Sequence, residues 1–394
     1  MKSISPENPG VQSIETGHGR VRILLRGDLE NPVVWHHTFS RCCKDHRFYE
    51  ILNATLNEAF DYRYMVLEDK AGKVRAIQPL FFVNQDLMMT SRMRPAVDRL
   101  RKLFPRLLMM RMLMVGCTVG EGYLGVATEG DEEWVAEALH DALGVYARHC
   151  GASLVILKDF SPRYRAKMTA FSNNGYARLS GMPMARLMLN TDTFEEYMQQ
   201  RLSKSMRKNL RRKFKKADVE ELITMEIFDD ITPYVDEVYP LYLQVHEKSE
   251  LKFERLTKEF ICELGRRMPD RARFFIWRMH GKAVAFSICM EHEGAIYDEY
   301  LGLDYSVALD LHLYFYTFRD IMRWALERKL KYYYSSPLNY DPKLHLRFEL
   351  YPLDLYVMHT STWINPLFRY ALRFVRPTCS DPVLRRFSNA GELD

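Results

Sequence analysis

The sequence predicts an α/β (α+β) protein in which one unit, a mixed sheet flanked by helices, occurs twice in tandem. The chain has 394 residues, enough for two or three domains of about 150 residues. Both halves show the same order of patterns: a hairpin, a strand, a loop, a helix and a closing strand. Hydrophobic residues at 47% and charged residues at 27% are typical of globular proteins and exclude a disordered chain. Two copies of one fold explain this order better than two unrelated domains.

The first half follows a loose leader, residues 1–20, that is rich in Ser, Pro, Gly and Asn. A hairpin is predicted around Gly72, because a glycine can supply the positive φ that such a turn needs. Farther along, apolar residues recur with the 3.6-residue period of an amphipathic helix. The predicted elements are, in order, a strand over 21–25, a helix over 48–60, the hairpin, a helix over 132–149, a strand over 154–160 and a short helix from Pro162.

The second half repeats this order. FFIWRM and KAVAFSICM predict a hairpin about the turn His280-Gly281, and AIYDEYLGL predicts a third strand. A helix is expected from Leu309 to Lys329, and KYYYSS is expected to return as a strand.

The segment between the halves, TDTFEEYMQQRLSKSMRKNLRRKFKKA, predicts one amphipathic helix over 191–217. Thr193 and Glu196 have the spacing of a capping box, and apolar residues recur every four positions. Nine cations and no acid lie between Arg201 and Lys216. Such a run is either a solvated helix face or a surface for an anionic partner, because uncompensated cations repel one another. A phosphate-bearing substrate, RNA and a lipid surface are the candidate partners.

The cysteines and the apolar stretches exclude several classes of protein. Seven cysteines show no Cys-x-x-Cys spacing, so neither a zinc site nor a secreted disulfide framework is predicted. The N-terminus lacks the apolar core of a signal peptide. Arg interrupts the longest apolar stretches, which fall short of the roughly 18–20 residues of a membrane span. We expect a soluble cytoplasmic protein without a metal.

Five segments of the second half carry a family resemblance through their order. They are SKSMRKNLRRKFKKA, YLQVHEKSELKFERLTKEFICELGRRM, FFIWRMHGKAVAFSICMEHEGAIYDEYLGLD, WALERKLKYYYSS and DPKLHLRFELYPLDLYV. Over residues 190–360 the chain resembles the FemAB-like branch of the GNAT acyltransferase superfamily, and the first half looks like a degenerate copy. Two features of the superfamily are missing: LDYSVALDLH replaces its Gly-rich pyrophosphate loop, and Ala308-Leu309-Asp310 replaces the Pro-Gly before the next helix.

The resemblance implies two GNAT-like units in tandem, of which the second is catalytic. The expected divisions are a flexible leader over 1–20, a degenerate N-terminal unit over 21–190, a basic connecting helix over 191–217, a catalytic unit over 218–362 and a basic amphipathic tail over 363–394.

The resemblance also implies transfer of an acyl group to an amine. The expected donor is an acyl thioester, acyl-CoA or an acyl carrier protein, and the expected acceptor is an amine or an anionic small molecule. No permanently bound cofactor is expected, because orientation and oxyanion donors can carry such a reaction. Two alternatives stay open. One is a FemAB-type enzyme that moves an aminoacyl group from aminoacyl-tRNA to a cell-wall precursor; the other is a non-catalytic binder of a membrane surface or nucleic acid.

Glu299 is the candidate proton acceptor, on the strand where folds of this kind place one. Asp298 and Glu299 should point to opposite faces of an alternating strand, so that one of them at most faces a given cleft. Two adjacent carboxylates are costly if both are buried, and one should be paired or functional. The alternative for Glu299 is a surface carboxylate.

His312 and Tyr316 are further candidate catalytic residues, on a predicted helix face shared with Arg319 and Arg323. Histidine titrates near neutral pH and could act as a base or bind phosphate. The alternative for His312 is a solvated or capping residue. The candidate acids for the leaving group are Tyr314, Tyr316 and Tyr340.

Two regions are candidates for binding the donor. The residues before the helix N-terminus could hold phosphates through free N–H groups; they are Asp304, Tyr305, Ser306, Val307 and Ala308. Lys343 matches the lysine of the family and suits a phosphate or an acyl carbonyl, the alternative being one more exposed lysine. The candidate substrate-binding residues are Lys204, Arg207, Lys208, Arg211 and His246.

Two basic and apolar segments have the pattern of helices that lie on a membrane surface. They are residues 92–114 and the C-terminal INPLFRYALRFVRP, in which cations stand beside Leu, Phe and other apolar residues. Packing against the body of the protein is the alternative for both.

Overall fold

The computed structural model describes residues 13–29, 32–86, 109–219, 223–249 and 252–393. These residues form two compact units that interleave along the chain. The first unit takes in the described parts of 1–40, 57–179 and 354–376, and the second takes in those of 41–56, 180–353 and 377–394. The sequence predicted continuous units over 21–190 and 218–362, whereas each unit of the structure takes in several separate segments of the chain.

The strands are β1 (Ser13–Thr16), β2 (Gly19–Leu24), β3 (Asp61–Asp69), β4 (Val74–Asp86), β5 (Met109–Gly116), β6 (Leu154–Phe160), β7 (Ala177–Ser180), β8 (Met184–Met188), β9 (Ile223–Phe228), β10 (Ala272–Met279), β11 (Lys282–His292), β12 (Ala295–Leu303), β13 (Tyr332–Ser335), β14 (Glu349–Tyr351) and β15 (Asp354–His359). The α-helices are α1 (Pro32–Thr38), α2 (His46–Thr55), α3 (Glu132–His149), α4 (Thr169–Asn173), α5 (Phe194–Arg201), α6 (Lys204–Val219), α7 (Val235–Lys248), α8 (Lys258–Arg267), α9 (Leu313–Glu327), α10 (Tyr340–His345), α11 (Asn365–Leu372) and α12 (Pro377–Ser380).

Two mixed sheets are built to the same plan. Within the described residues the first has the order β1-β2-β3-β4-β5-β6-β15-β7, and the second has the order β9-β10-β11-β12-β13-β8-β14 when it is followed from β9. Each sheet receives one strand from the other half of the sequence: β15 lies between β6 and β7, and β8 lies between β13 and β14. The common plan of the two sheets confirms the tandem α/β fold. The exchange of one strand between them is a feature that the local sequence patterns did not predict.

The local signals for hairpins and helices correspond to the elements observed. Gly72 and Gly281, in the turns of the two predicted hairpins, both adopt a φ of 78°. The helix α3 begins with Glu132 and Glu133 and ends with Arg148 and His149, so that its charges oppose the helix dipole.

The predicted helix over 191–217 is two helices, and the sequence prediction of a continuous one is wrong. Thr193 caps α5 as predicted, because its side chain accepts the N–H of Glu196 at 3.1 Å. The chain then turns extended at Leu202, with ψ of 146°. The Ser203 hydroxyl accepts the N–H of Met206 at 3.2 Å, which begins α6 with a new cap.

Other predicted elements differ at their ends or lie outside the described residues. The helix expected from Leu309 begins at Leu313, because His312 has a φ of 53° and cannot continue a right-handed helix. The short helix from Pro162 is a single 3₁₀ turn. Of the basic segment 92–114, residues 109–114 lie in β5 and not in an interfacial helix, and 92–108 are outside the described residues. No helix in the described ranges is long and apolar enough to cross a membrane.

Candidate active site

A notch opens in the second sheet where β12 and β13 separate. The two strands pair in parallel only from Ala295 to Asp298, opposite Tyr332 to Ser335. The Ser336 N–H donates to the Asp298 carbonyl at 3.1 Å and ends this contact. Strand β12 continues to Leu303 with β11 as its partner. In the described part of the sheet, the other edge of 299–303 therefore has no strand against it.

A β-bulge at the same point turns the side chains of β12. Cys289 of β11 lies opposite Asp298, and the next residue back, Ile288, lies opposite Tyr300, so Glu299 is the extra residue. A bulge re-aims the side chains that follow it. The two carboxylates accordingly have different partners: Asp298 contacts residues of β11 and β13, and Glu299 contacts Lys44.

The Asp298 carboxylate is the centre of a polar cluster at the notch. The Ser287 hydroxyl donates to its Oδ1 at 2.6 Å, and the Tyr333 hydroxyl donates to its Oδ2 at 2.7 Å. Removal from water raises the pKa of Asp298 above its ordinary value, and these two donors offset part of the rise. A carboxylate with a raised pKa is a stronger base, as a proton acceptor near neutral pH should be. Asp298 remains partly exposed to solvent.

Tyr314, a predicted candidate acid, belongs to this cluster. It lies in the first turn of α9, and burial together with the charge of Asp298 raises the pKa of its hydroxyl. Tyr340, another predicted acid, is buried and donates to the Pro183 carbonyl at 2.7 Å. The charge of Asp298 therefore acts on the pKa of Tyr314.

Lys343 holds the loop that follows β13, beside the notch. It is 3% exposed, and its Nζ donates to the carbonyls of Ser336 and, at 2.8 Å, of Leu338. Leu338 and Asn339 have φ values of 73° and 52°, a strained conformation for residues other than glycine. Burial lowers the pKa of Lys343 to about 7, against an opposing effect of Asp298. Lys343 therefore positions the loop and is not the exposed lysine of the alternative interpretation; its binding of a phosphate or acyl carbonyl stays a prediction.

Glu299 lies in a buried ion pair. Its Oε1 is 2.9 Å from the Nζ of Lys44, and the two side chains are 10% and 3% exposed. A buried carboxylate with a cationic partner is satisfied without any substrate. Glu299 is thus the paired carboxylate of the two, and Asp298 is the one that lies at the notch.

His312 and Tyr316 do not share the helix face that the sequence predicted, because His312 lies before the first residue of α9. His312 is the residue before α9, in a left-handed conformation. The Tyr316 hydroxyl donates to Asp218 at 3.1 Å, and Arg319 contacts both oxygens of Asp218 at 2.8 and 2.9 Å. This network ties α9 to α6 and gives Tyr316 a structural partner.

The backbone amides predicted to hold phosphates are engaged within the protein. Tyr305 donates to the Gln244 side chain, Ser306 donates to the Asp304 side chain, and Val307 and Ala308 both donate to the Asp304 carbonyl. In this conformation these four amides have acceptors within the protein, and donor binding by this segment stays a prediction.

The predicted substrate-binding cations on α6 divide into two groups. Lys204, Lys208 and Arg211 are exposed on one surface of the helix. Arg207 instead donates to the carbonyls of Gln199 and Leu202, both at 3.0 Å, and so caps the end of α5. The exposed row is compatible with both interpretations of the cationic run, a solvated helix face and a surface for an anionic partner. Arg207 has a structural role instead.

Two neighbours connect these helices to the rest of the second unit. The Nζ of Lys213 lies 4.0 Å from the ring centroid of Phe315, which puts α6 beside the first turn of α9. His246, predicted to bind the acceptor, is within hydrogen-bonding distance of the Glu254 carbonyl at 3.2 Å.

The matching position of the first unit is closed. Strands β5 and β6 correspond to β12 and β13 in sheet order, and they pair through Gly116. The chain then returns to β6 at Gly122, which bridges to Phe160 and donates its N–H to the Asp159 carbonyl at 2.9 Å. A Cβ on Gly122 would lie 2.3 Å from the Lys158 carbonyl, so glycine permits this approach. The open notch belongs to the second unit.

Sequence reasoning missed the residues that surround Asp298 and Glu299. Ser287 was a weak signal, as the one hydroxyl in the apolar strand KAVAFSICM. Tyr333 stands among three consecutive tyrosines with nothing to distinguish it, and Lys44 lies in a segment far from the site in sequence. Their roles depend on strand register and on tertiary contacts.

Comparisons with known proteins agree with this geometry. Residues 204–341 match the family model described as an acetyltransferase (GNAT) domain. FemX has a similar fold, with a TM-score of 0.52 and 9% identity over 89% of this chain and 100% of that chain. L-PGS from Bacillus licheniformis has a TM-score of 0.50 and 14% identity over 83% of this chain and 95% of that chain. A tandem GNAT protein from the clavulanic acid biosynthesis pathway is also similar, with a TM-score of 0.48, 11% identity and coverage of 86% and 99%.

No curated protein sequence matches the chain. The family model and the FemX fold confirm the predicted resemblance and the tandem GNAT architecture. The match over residues 204–341 supports transfer of an acyl or aminoacyl group in general.

Proposed function

We propose that the second unit transfers an acyl group from an acyl thioester to an amine at the notch between β12 and β13, with Asp298 as the proton acceptor. The observation that carries the proposal is the separation of the two strands directly beyond Asp298, a carboxylate whose pKa is raised by burial. Glu299 pairs with Lys44, and Lys343, whose charge offsets part of the rise in the pKa of Asp298, bonds to backbone carbonyls.

The chemistry follows from these positions. The acceptor amine attacks the thioester carbonyl carbon, a C–N bond forms and the C–S bond breaks. Asp298 takes the proton that the attacking nitrogen loses, and the Tyr314 hydroxyl is the proposed donor to the leaving sulfur. The unpaired edge of β12 offers backbone N–H groups toward the developing oxyanion. Substrate orientation in the notch supplies a further part of the rate.

We assign the anionic part of the donor to the exposed cations of α6. The amides of residues 305–308 bond within the protein, so phosphates of acyl-CoA would need cationic side chains instead. Lys204, Lys208 and Arg211 are exposed on a helix that lies beside the first turn of α9. An acyl carrier protein, whose prosthetic arm also carries a phosphate, would use the same row.

An aminoacyl-tRNA donor is the second candidate, with a cell-wall precursor as the acceptor. The row of exposed cations on α6 favours it, because tRNA is a polyanion that such a row attracts. Activity in a cell extract separates the two donors. Transfer that survives RNase and requires a CoA thioester excludes aminoacyl-tRNA, and transfer that RNase abolishes excludes the thioester.

The decisive variant is Asp298→Asn, assayed by mass spectrometry of the N-acylated product. Loss of the proton acceptor should lower kcat/KM by about 10²–10⁴-fold. The melting temperature serves as the control for folding. Activity within a few-fold of the wild type in a folded variant would contradict the proposal, and would leave the non-catalytic binder, for which charge reversal on α6 alone abolishes function.

Ser287→Ala gives a second test, with a readout that would not change if Asp298 had only a structural role. It removes an O–H donor to the ionised carboxylate, so the pKa of Asp298 should rise further. The acid limb of the pH profile of kcat/KM should shift to higher pH. An unshifted limb would exclude Asp298 as the titrating base.

A further inference from the structure

The C-terminal part of the first unit carries an exposed apolar face on α11 and its flanks. Trp363 is 92% exposed and Leu367 is 73% exposed. Six large apolar side chains, each at least half exposed, form what we call the C-terminal face: Trp363, Ile364, Leu367, Tyr370, Phe374 and Val375. Single exposed apolar residues are ordinary, but a contiguous group of this size marks an interaction site.

The helix is held by its opposite side. The Asn365 amide donates to the Gly175 carbonyl at 2.8 Å, and its oxygen accepts the His359 N–H at 3.0 Å. The Phe368 ring packs on the ring of His359, with centroids 5.8 Å apart. At about 100° per residue, Leu367 and Tyr370 fall on the side of the helix away from Asn365, and the Phe374 ring lies 5.6 Å from the ring of Tyr370. The face is therefore presented by a fixed helix.

The charge of the segment points to an anionic surface. Residues 361–376 contain Arg369, Arg373 and Arg376 and no Asp or Glu. At the same rotation Arg369 lies about 100° from Tyr370 around the helix, so that it flanks the apolar side, and Arg373 is exposed just after the helix end. Apolar residues on one side, arginines at the edge, and Trp and Tyr within the face are the features of helices that lie at a membrane–water interface.

We propose that the C-terminal face docks on an anionic phospholipid bilayer, with its apolar side chains at the boundary of head groups and acyl chains and its arginines at the level of the phosphates. A second copy of the chain fits the face less well. In a two-fold contact through α11, the arginines of one copy would meet those of the other, and like charges would oppose the association. The proposal is independent of the transfer reaction.

Vesicle sedimentation of the full chain tests this docking. Vesicles of phosphatidylcholine alone are compared with vesicles that also contain about a third of phosphatidylglycerol. The wild type should bind the anionic vesicles, and added salt should weaken the binding. Leu367→Glu with Phe374→Glu should lower the partition coefficient by about tenfold or more. Arg369→Gln and Arg373→Gln should each lower it by about fivefold.

Val33→Glu is the matched control, because Val33 is a 64% exposed apolar residue elsewhere in the first unit. It should bind vesicles as the wild type does, and the melting temperature of each variant checks its folding. Absence of vesicle binding by the wild type, or equal binding to neutral and anionic vesicles, would overturn the proposal. So would a wild-type dimer that Leu367→Glu dissociates and that does not bind vesicles, because the face would then join two copies.

Discussion

The ion pair between Lys44 and Glu299 joins two residues that are distant in sequence and nearly inaccessible to water. Its pairing explains why two adjacent carboxylates can occupy one strand. A buried pair stabilises only modestly against an apolar substitute, but removal of one partner leaves an uncompensated charge. We therefore expect Glu299, which the sequence suggested as a catalytic base, to contribute mainly to stability.

Glu299→Gln should lower the free energy of unfolding by about 3–5 kcal/mol, because it removes the carboxylate that lies 2.9 Å from a buried ammonium. The double variant Lys44→Met with Glu299→Leu should recover most of that loss. Urea unfolding at neutral pH measures both. If the single variant is as stable as the wild type but has lost transfer activity, Glu299 is catalytic and the assignment of Asp298 is contradicted.

Lys343 has a second residue-scale consequence, a pH-dependent contribution to stability. Its pKa is about 7 in the folded protein and about 10.4 for an ordinary lysine in an unfolded chain. Between these values the unfolded chain binds more protons than the folded one, so the free energy of unfolding rises with pH. Below pH 7 both states are protonated and the folded state bears the full cost of the buried charge.

The free energy of unfolding of the wild type minus that of Lys343→Met should therefore increase by about 2–4 kcal/mol between pH 7 and pH 10. Denaturant unfolding at a series of pH values gives this difference. Lys73→Met, at an exposed turn, is the control and should give a nearly constant difference. A flat difference for Lys343→Met would show that the buried ammonium does not titrate in this range.

At the scale of elements, the break between α5 and α6 separates two functions of one cationic segment. Arg207 closes the end of α5, and the exposed cations that follow it face solvent. Lys208→Glu with Arg211→Glu should raise the KM for the donor by about tenfold or more, by reversing two charges that attract it, and should leave the melting temperature unchanged. Steady-state kinetics at several salt concentrations measure the effect.

Arg207→Ala is the matched comparison one turn away. It should lower the free energy of unfolding by about 1 kcal/mol through loss of its two hydrogen bonds, with little change in KM. If Arg207→Ala and the double reversal have the same effect on KM, the exposed row does not bind the donor.

The elements themselves show what local patterns can and cannot predict. Periodicity and turn residues were sufficient for α3, for the hairpins at Gly72 and Gly281, and for β12. The break at Leu202 could not be predicted from helix propensity, because it depends on a second helix cap at Ser203. The exchange of β8 and β15 could not be predicted, because strand neighbours are fixed by contacts between distant segments.

For the candidate site, the sequence supplied the strand and the carboxylates but not their roles. Asp298 and Glu299 are equivalent in the pattern, and only the bulge and the partners Ser287, Tyr333 and Lys44 distinguish them. The amides of 305–308 were predicted to be free because a helix end has unpaired N–H groups. Three of them donate to Asp304 in the turn before the helix, and the Tyr305 amide donates to the Gln244 side chain.

At the scale of the whole molecule, two copies of one unit differ at the place where chemistry is proposed. In the second unit β12 and β13 separate beyond Asp298, whereas in the first unit the chain returns at Gly122 and closes the corresponding strands. The returning segment is itself buried at Thr118 and Val119. The corresponding strands are thus separated beyond Asp298 in the second unit and closed in the first.

The most direct test of the central claim is photolabelling with a diazirine-bearing acyl-CoA, followed by mass spectrometry of the labelled peptides. The account predicts saturable labelling of β12 beyond Asp298 and of the loop that follows β13, which unlabelled donor should suppress. Labelling of the corresponding segment of the first unit, or no saturable labelling of β12, would contradict it.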